Sequence, residues 1–200
     1  MDQSSNMYIR HYGAMHLEKL PANAILIVKG DVITNSIRYL QRCEGMRPDV
    51  QHLDQSMMTY AWFKTKQARH FRNISFPNSI YNPYKPEGYS MQRFLQANAL
   101  RPHMPAFLCG GWYHDEIPAE HGGGTPGFKT WPVGPCDRIR PVSQQLSLDR
   151  WVEEAASSGT HLELTRALKW YLAMDAVLLR SGARGGRRGA DSYVRARAHT

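Results

Sequence analysis

Lys29, Asp31, Asn35 and Asp54 are the side chains in this sequence whose types and spacing suit a polar binding site. Lys29 and Asp31 follow a short aliphatic run, Asn35 lies one helical turn further on, and Asp54 closes a second short extended segment. An ammonium, two carboxylates and an amide supply donors and acceptors of both charges, which is what orienting a polar ligand requires. The structural alternative is that the two aspartates cap the helices that follow the strands, each stabilising its helix by about 1 kcal/mol. Neither G-x-G-x-x-G nor G-x-x-x-x-G-K-[ST] follows the first strand, which argues against a dinucleotide or a nucleoside triphosphate.

Other groupings are weaker. His114, Asp115, Glu116 and His121 could ligate a metal, but they fall among Pro118 and a run of glycines, without an H-E-x-x-H helix, so no metal site is expected. Cys43, Cys109 and Cys136 form an odd set without C-x-x-C. In an oxidising compartment one pair could bridge and leave the third buried; in a reducing one all three would be core thiols. Tyr81, Tyr84 and Tyr89 could stack on a sugar or a peptide, or simply cover the edges of the core. Asn73-Ile74-Ser75 is an N-glycosylation acceptor triplet, meaningful only in the secretory route.

The polar residues need a frame, and the frame begins at Ala24-Ile25-Leu26-Ile27-Val28. Short, unbroken and branched, this run fits a strand covered on both faces. Thr34 or Asn35 is placed to cap a helix with Ile37 and Leu40 inward and Arg38, Gln41 and Arg42 toward water, ended by Gly45 and Pro48. A strand over Val50 to Leu53 and a helix from Gln55 to about His70 follow. Such a strand–helix–strand unit implies a parallel pair, whose ligands gather at the carboxyl ends of the strands. A helix from about Asn6 to Leu20 precedes it. Phe71 to Tyr89 reads as an ordered loop, Ser90 to Ala99 as a helix, and Ala106 to Cys109 as a third strand with Gly110-Gly111 after it. Two extended segments, Phe128 to Gly134 and Asp137 to Pro141, are expected to close the sheet. Ser147 starts another helix, and Thr160 to Leu179 is strongly amphipathic. The expected fold is α/β, a small three-layer domain with a mainly parallel sheet over residues 1–179. Residues 180–200, rich in Gly and Arg, are expected to be a disordered basic tail.

The 200 residues are 42% hydrophobic, enough for one domain with a core, and carry a formal charge of +8. That charge is concentrated late: Arg180, Arg184, Arg187, Arg188, Arg195 and Arg197 face one acid, Asp191, in the last segment. The body lacks finger spacings and ribonucleoprotein-type aromatics, so nucleic acid is not an expected partner. No run approaches the roughly 20 apolar residues of a membrane span, and the amino terminus has no export-signal pattern.

Read together and in order, Lys29-Gly30-Asp31, Asn35-Ser36 with Arg38-Tyr39, Cys43-Glu44-Gly45 with Arg47-Pro48-Asp49, and Asp54-Gln55 with Met57-Met58-Thr59-Tyr60 and Trp62 form a distinctive set. Phe107-Leu108-Cys109, Trp131-Pro132, Gly134 and Cys136-Asp137 extend it. Through them the chain resembles the transmembrane protein 260 family, protein O-mannosyltransferases of the endoplasmic reticulum membrane with a GT-C-type membrane fold. The resemblance implies a fragment of the lumenal domain that follows the last membrane helix. The enzyme so implied transfers mannose from a dolichol-phosphate donor to Ser or Thr of immunoglobulin-like receptor domains. Its membrane domain and those receptor domains would be the partners, and no cofactor would be bound by this chain. The family's catalytic carboxylate looks to belong to a loop among the membrane helices. No stretch here matches that loop, so no catalytic residue is carried over and the fragment is expected to be inactive alone. The Lys29, Asp31, Asn35 and Asp54 edge would then orient the acceptor or the membrane domain. A reading without the resemblance is a free-standing α/β module that binds a small phosphorylated or sugar ligand at its strand ends.

Overall fold

A computed structural model describes residues 7–144 apart from 72, 100, 102, 119, 120 and 122, together with 147, 149, 150 and 153. The expected helix over Thr160 to Leu179 and the basic tail lie outside the described residues, and so do Asp2 to Asn6 at the start of the first helix. Ser147 accepts the Arg150 N–H at 3.3 Å, the cap contact expected where a helix begins there.

The core is a five-stranded sheet of order β2-β1-β5-β7-β6. Strands β1 (Ile25–Val28), β2 (Gln51–Asp54) and β5 (Ala106–Cys109) run parallel, while β7 (Cys136–Pro141) is antiparallel to β5 and to β6 (Phe128–Val133). The fully buried pattern of β1 and β5 explains why the sequence there is a continuous apolar run rather than an alternation: both faces of these strands are covered. On one face Leu26, Val28, Phe107 and Cys109 pack against Leu17, Ile33, Ile37 and Leu40 of α1 (Tyr8–Glu18) and α2 (Asp31–Cys43). On the other, Ile25, Ile27, Leu53, Ala106 and Leu108 meet Met58, Phe63, Phe94 and Leu95 of α3 (Gln55–Met58), α4 (Ala61–Gln67) and α5 (Met91–Asn98). Three layers result, as the sequence implies.

Several details differ from expectation. Helix α2 starts earlier, at Asp31, with Gly30 as its cap at φ 115°, so Thr34 and Asn35 lie inside the helix instead of capping it. The single helix expected over Gln55 to His70 is broken at Thr59-Tyr60 into α3 and α4, with a 3-10 turn over Ala68–His70. The break lets Met58 and Phe63 both enter one core, which a straight helix of that length would not arrange. The 71–89 segment is mostly loop but contains a two-residue parallel ladder, β3 (Ile80–Tyr81) with β4 (Gly88–Tyr89). Tyr81 and Tyr89 are buried, as in the core-covering reading, while Tyr84 is exposed.

Helix α1 reaches α2 unusually closely. A Cβ on Gly13 would stand 2.8 Å from Leu40 Cδ1 and 2.9 Å from Ser36 Cβ, so only a glycine permits this approach. The carboxyl end of α1 is held by Arg47, which donates to the carbonyls of Leu17, Leu20 and Pro21 at 2.7–2.9 Å and grips Asp49 with two parallel bonds of 2.9 Å. That fork, ahead of any other influence, holds the Asp49 carboxyl down to about 2.

Candidate functional site

The three parallel strands end together: register sets Val28 beside Asp54 on one side and beside Cys109 on the other. The rim at their carboxyl ends is therefore built from Lys29-Gly30, Gln55-Ser56 and Gly110-Gly111. The Lys29 N–H donates to the Cys109 carbonyl at 2.9 Å. A Cβ on Gly110, whose φ is 80°, would lie 2.1 Å from the Lys29 carbonyl oxygen, so no other residue can close this junction. Two side chains then staple the loop after β5. Lys29 Nζ donates to the Trp112 carbonyl at 2.8 Å. Gln55, fully buried, donates from Nε2 to the Gly111 carbonyl at 2.9 Å and accepts the Tyr113 N–H on Oε1 at 2.8 Å.

Beyond the staple stands His114, with its ring centroid 5.2, 5.7 and 4.8 Å from those of Tyr81, Tyr84 and Tyr113. Burial among these rings, and then the nearby Lys29 charge, lowers its pKa, which keeps the imidazole neutral at pH 7. Its sequence neighbours point elsewhere. Asp115 accepts the Gly124 N–H, and both oxygens of Glu116 cap the start of α5 by accepting from Met91 and Gln92. Burial raises the Glu116 pKa despite those bonds. Among the described residues no group of three or more His, Cys, Asp or Glu could hold a metal ion.

The four residues singled out from sequence do not converge on one point. Asn35 and Asp54 are joined through Arg38, whose Nη1 donates to Asn35 Oδ1 at 3.3 Å and whose Nη2 lies 3.5 Å from Asp54 Oδ2. Asp54 is at the same time the cap of α3: its Oδ1 accepts from the Ser56 N–H, the Ser56 hydroxyl and the Met57 N–H at 3.0, 2.5 and 3.3 Å. Lys29 turns the other way, toward the β5 loop. Asp31 is exposed in the first turn of α2, where a negative charge suits the helix dipole. The rim is thus divided into a Lys29–Gln55–His114 side and an Asn35–Arg38–Asp54 side.

Arg38 is exposed, as expected, while its guanidinium also reaches Asp54; Gln41, expected to face water, is half-buried and donates from Nε2 to the carbonyls of Arg47 and Val50. The cysteines resolve as a Cys109–Cys136 disulfide linking β5 to β7, with Cys43 free and exposed, where a buried third thiol was expected.

The sequence that builds this arrangement has relatives among known proteins. The family profile described as TMEM260-associated domain 2 matches residues 9–92. The chain is 34% identical over 158 residues to the protein O-mannosyl-transferase TMEM260 of Mus musculus, an alignment that covers 76% of this chain and 21% of the mouse protein. It is 44% identical over 97 residues to the protein O-mannosyl-transferase tmem260 of Dictyostelium discoideum, covering 48% of this chain and 12% of that relative. By these matches the chain is similar to one part of TMEM260 proteins. It spans about a fifth or less of the length of these relatives. No solved structure matches it.

The TMEM260-associated segment carries both sides of the rim up to Gln55 and the Arg47–Asp49 fork, but β5 and its stapled loop lie beyond residue 92. Much of the sequence pattern through which the chain resembles the TMEM260 family has a structural explanation here. Arg47-Pro48-Asp49 fastens α1, Glu44 pairs with Arg10 at 2.7 Å, and Asp54-Gln55 ties two strand ends and a loop. Arg38 and Gln55 were the rim residues that sequence reasoning passed over. The available signal was position: a long polar residue directly after a buried strand end, or one helical turn after Asn35, is placed to reach a neighbouring strand. No helix among the described residues is long and apolar enough to cross a membrane.

Proposed function

We propose that this chain is an accessory lumenal α/β domain of a protein O-mannosyltransferase, working beside a membrane part that carries the chemistry. The observation that carries this reading is the family match, together with relatives that are themselves named protein O-mannosyl-transferases. The Cys109–Cys136 disulfide supports an oxidising compartment such as the endoplasmic reticulum lumen, because such bonds are rare where thiols are kept reduced. In this reading the donor is dolichol-phosphate mannose, met at the membrane, and the acceptors are Ser or Thr hydroxyls of immunoglobulin-like receptor domains. The domain supplies binding and orientation, not an attacking or proton-transferring group. Lys29, Asp31, Asn35 and Asp54 border the surface that orients the acceptor or seats the membrane part. Asn73, exposed on the loop after α4, is the glycan acceptor of the same lumenal reading.

The test uses a full-length family enzyme in cells lacking their own copy, with O-mannose on a receptor domain read by mass spectrometry. Replacing Lys29 or Asn35 by Ala at the equivalent positions is expected to lower transfer while the protein still reaches the membrane in normal amounts. Undiminished transfer with the whole domain removed would overturn the reading.

A further inference from the structure

Strand β2 is the outermost strand on its side of the sheet and pairs on one side alone, with β1. The Gln51 N–H points inward, to the Ala24 carbonyl at 2.8 Å. Backbone alternation along a strand then turns the N–H and C=O of His52, and the N–H of Asp54, away from the sheet. The preceding outward carbonyl, that of Val50, is occupied by Gln41 Nε2 at 2.9 Å, which marks one end of the free edge.

This edge does not face open solvent on a convex surface. It forms the floor of a groove of about 1210 Å³, walled by Arg38 and Arg42 of α2 on one side and by Trp62 and Gln67 of α4 on the other. The His52 ring also lines it, with Nε2 shut off from solvent and without a hydrogen-bond partner among the described residues. A buried edge bordered by two helices is a place where a third polypeptide segment can lie without clashing and can satisfy backbone groups.

The charge around the groove selects the kind of segment. Its two acids are already engaged: Asp49 by the Arg47 fork and the Asn23 N–H, Asp54 by the cap of α3 and by Arg38. Arg42 is left as an exposed cation on the α2 wall, with His70 and His103 among the lining residues. On the opposite wall Trp62 is exposed and stacked on Tyr60 just outside the groove, with centroids 6.0 Å apart and planes 19° from parallel, a platform for flat or apolar groups.

We propose that the groove beside β2 binds an extended polypeptide segment bearing acidic side chains, which adds as a strand to the edge at His52 and sets its carboxylates toward Arg42. Main-chain bonds to His52 and Asp54 supply register, and the alternate side chains meet the arginine wall and the aromatic wall in turn. This goes beyond the accessory-domain reading, since it concerns the outer edge of the sheet and holds for the chain whether or not it serves a mannosyltransferase.

The experiment uses the full 200-residue chain, oxidised and unmodified at Asn73, which lines the same groove. The probe is a fluorescein-labelled peptide of about eight residues in which Val alternates with Asp, long enough to cover a strand of ordinary length. Binding is followed by anisotropy, and the contact is located by amide NMR. The expected result is saturable binding with the largest amide shifts at His52 and Asp54. Exchange of Asp for Lys in the peptide, or Arg42→Glu in the protein, is expected to weaken binding about tenfold or more. N-methylation of alternate peptide nitrogens is expected to abolish it where the methyls meet the edge. Binding unaffected by N-methylation, shifts confined to Lys29 and Gly110, self-association of the chain through His52, or no binding at millimolar peptide would each overturn the proposal.

Discussion

The two sides of the sheet are built differently. The β2-β1-β5 side is held by aliphatic burial: Leu26, Ile27, Val28 and Leu53 are inaccessible, and helices cover both faces. The β7-β6 side is a hairpin of half-buried residues, with Lys129, Arg138 and Arg140 in it, attached to β5 by antiparallel pairing, by Arg138 over the Phe107 ring, and by the Cys109–Cys136 bond. Strands β1 and β5 bury apolar side chains toward helices on both faces, while the hairpin buries fewer residues and is tied to β5 by the disulfide. The family profile ends within the first side, at residue 92, yet β1 of that segment depends on β5 from outside it for half of its pairing.

The comparison can be broken from the aliphatic side first. Ile27→Ala, at a position with no exposure, is expected to cost about 4 kcal/mol and to unfold both sides together, seen as one urea transition at a lower midpoint. Removing the disulfide by Cys109→Ala with Cys136→Ala opens a 27-residue loop and is expected to cost about 3 kcal/mol by chain entropy. Its signature should be local: hydrogen exchange quickens in β6 and β7 before it does in β1. Equal loss of protection in β1 and β6 would show that the disulfide holds the hairpin no more than it holds the parallel strands.

A smaller effect follows from His52. Burial, then the Arg38 charge, lowers its pKa to about 4, with Asp54 opposing. Because the unfolded chain binds a proton near 6.5 and the folded one does not, stability is lost as pH falls from about 6.5 to about 4, by roughly 1–3 kcal/mol. His52→Leu should flatten that part of the stability–pH curve relative to the native chain; parallel curves would sink this assignment. Least of all should Arg10→Ala matter. The Arg10–Glu44 pair is solvent-exposed, and the melting temperature is expected to stay within error.

How far the sequence foretold this depended on the range of the contacts. Ile25 to Val28 and Ala106 to Cys109 announced themselves because burial on both faces leaves a continuous apolar run, and the hairpin segments were recognisable as extended. Asp54 was foreseen both as a cap and as a member of a polar edge, and it is the cap that the geometry makes plain. The start of α2 was misplaced because Gly30 caps through its backbone conformation, which leaves no side-chain signature. Gln55 was overlooked because its partners, Gly111 and Tyr113, are more than fifty residues away, and only the completed sheet brings them near. The disulfide stayed open for the same reason: Cys109 and Cys136 become neighbours only once β7 folds back along β5.

The strand order sets a timetable for folding. During synthesis β1 and β2 emerge early and can pair at once, but the second flank of β1 must wait until residues 106–109 follow, some eighty positions later. Throughout that interval an aliphatic edge stands open on the nascent chain, prone to adhere to any extended segment nearby. Sequences of this build are therefore expected to lean on chaperones until β5 arrives to close the gap.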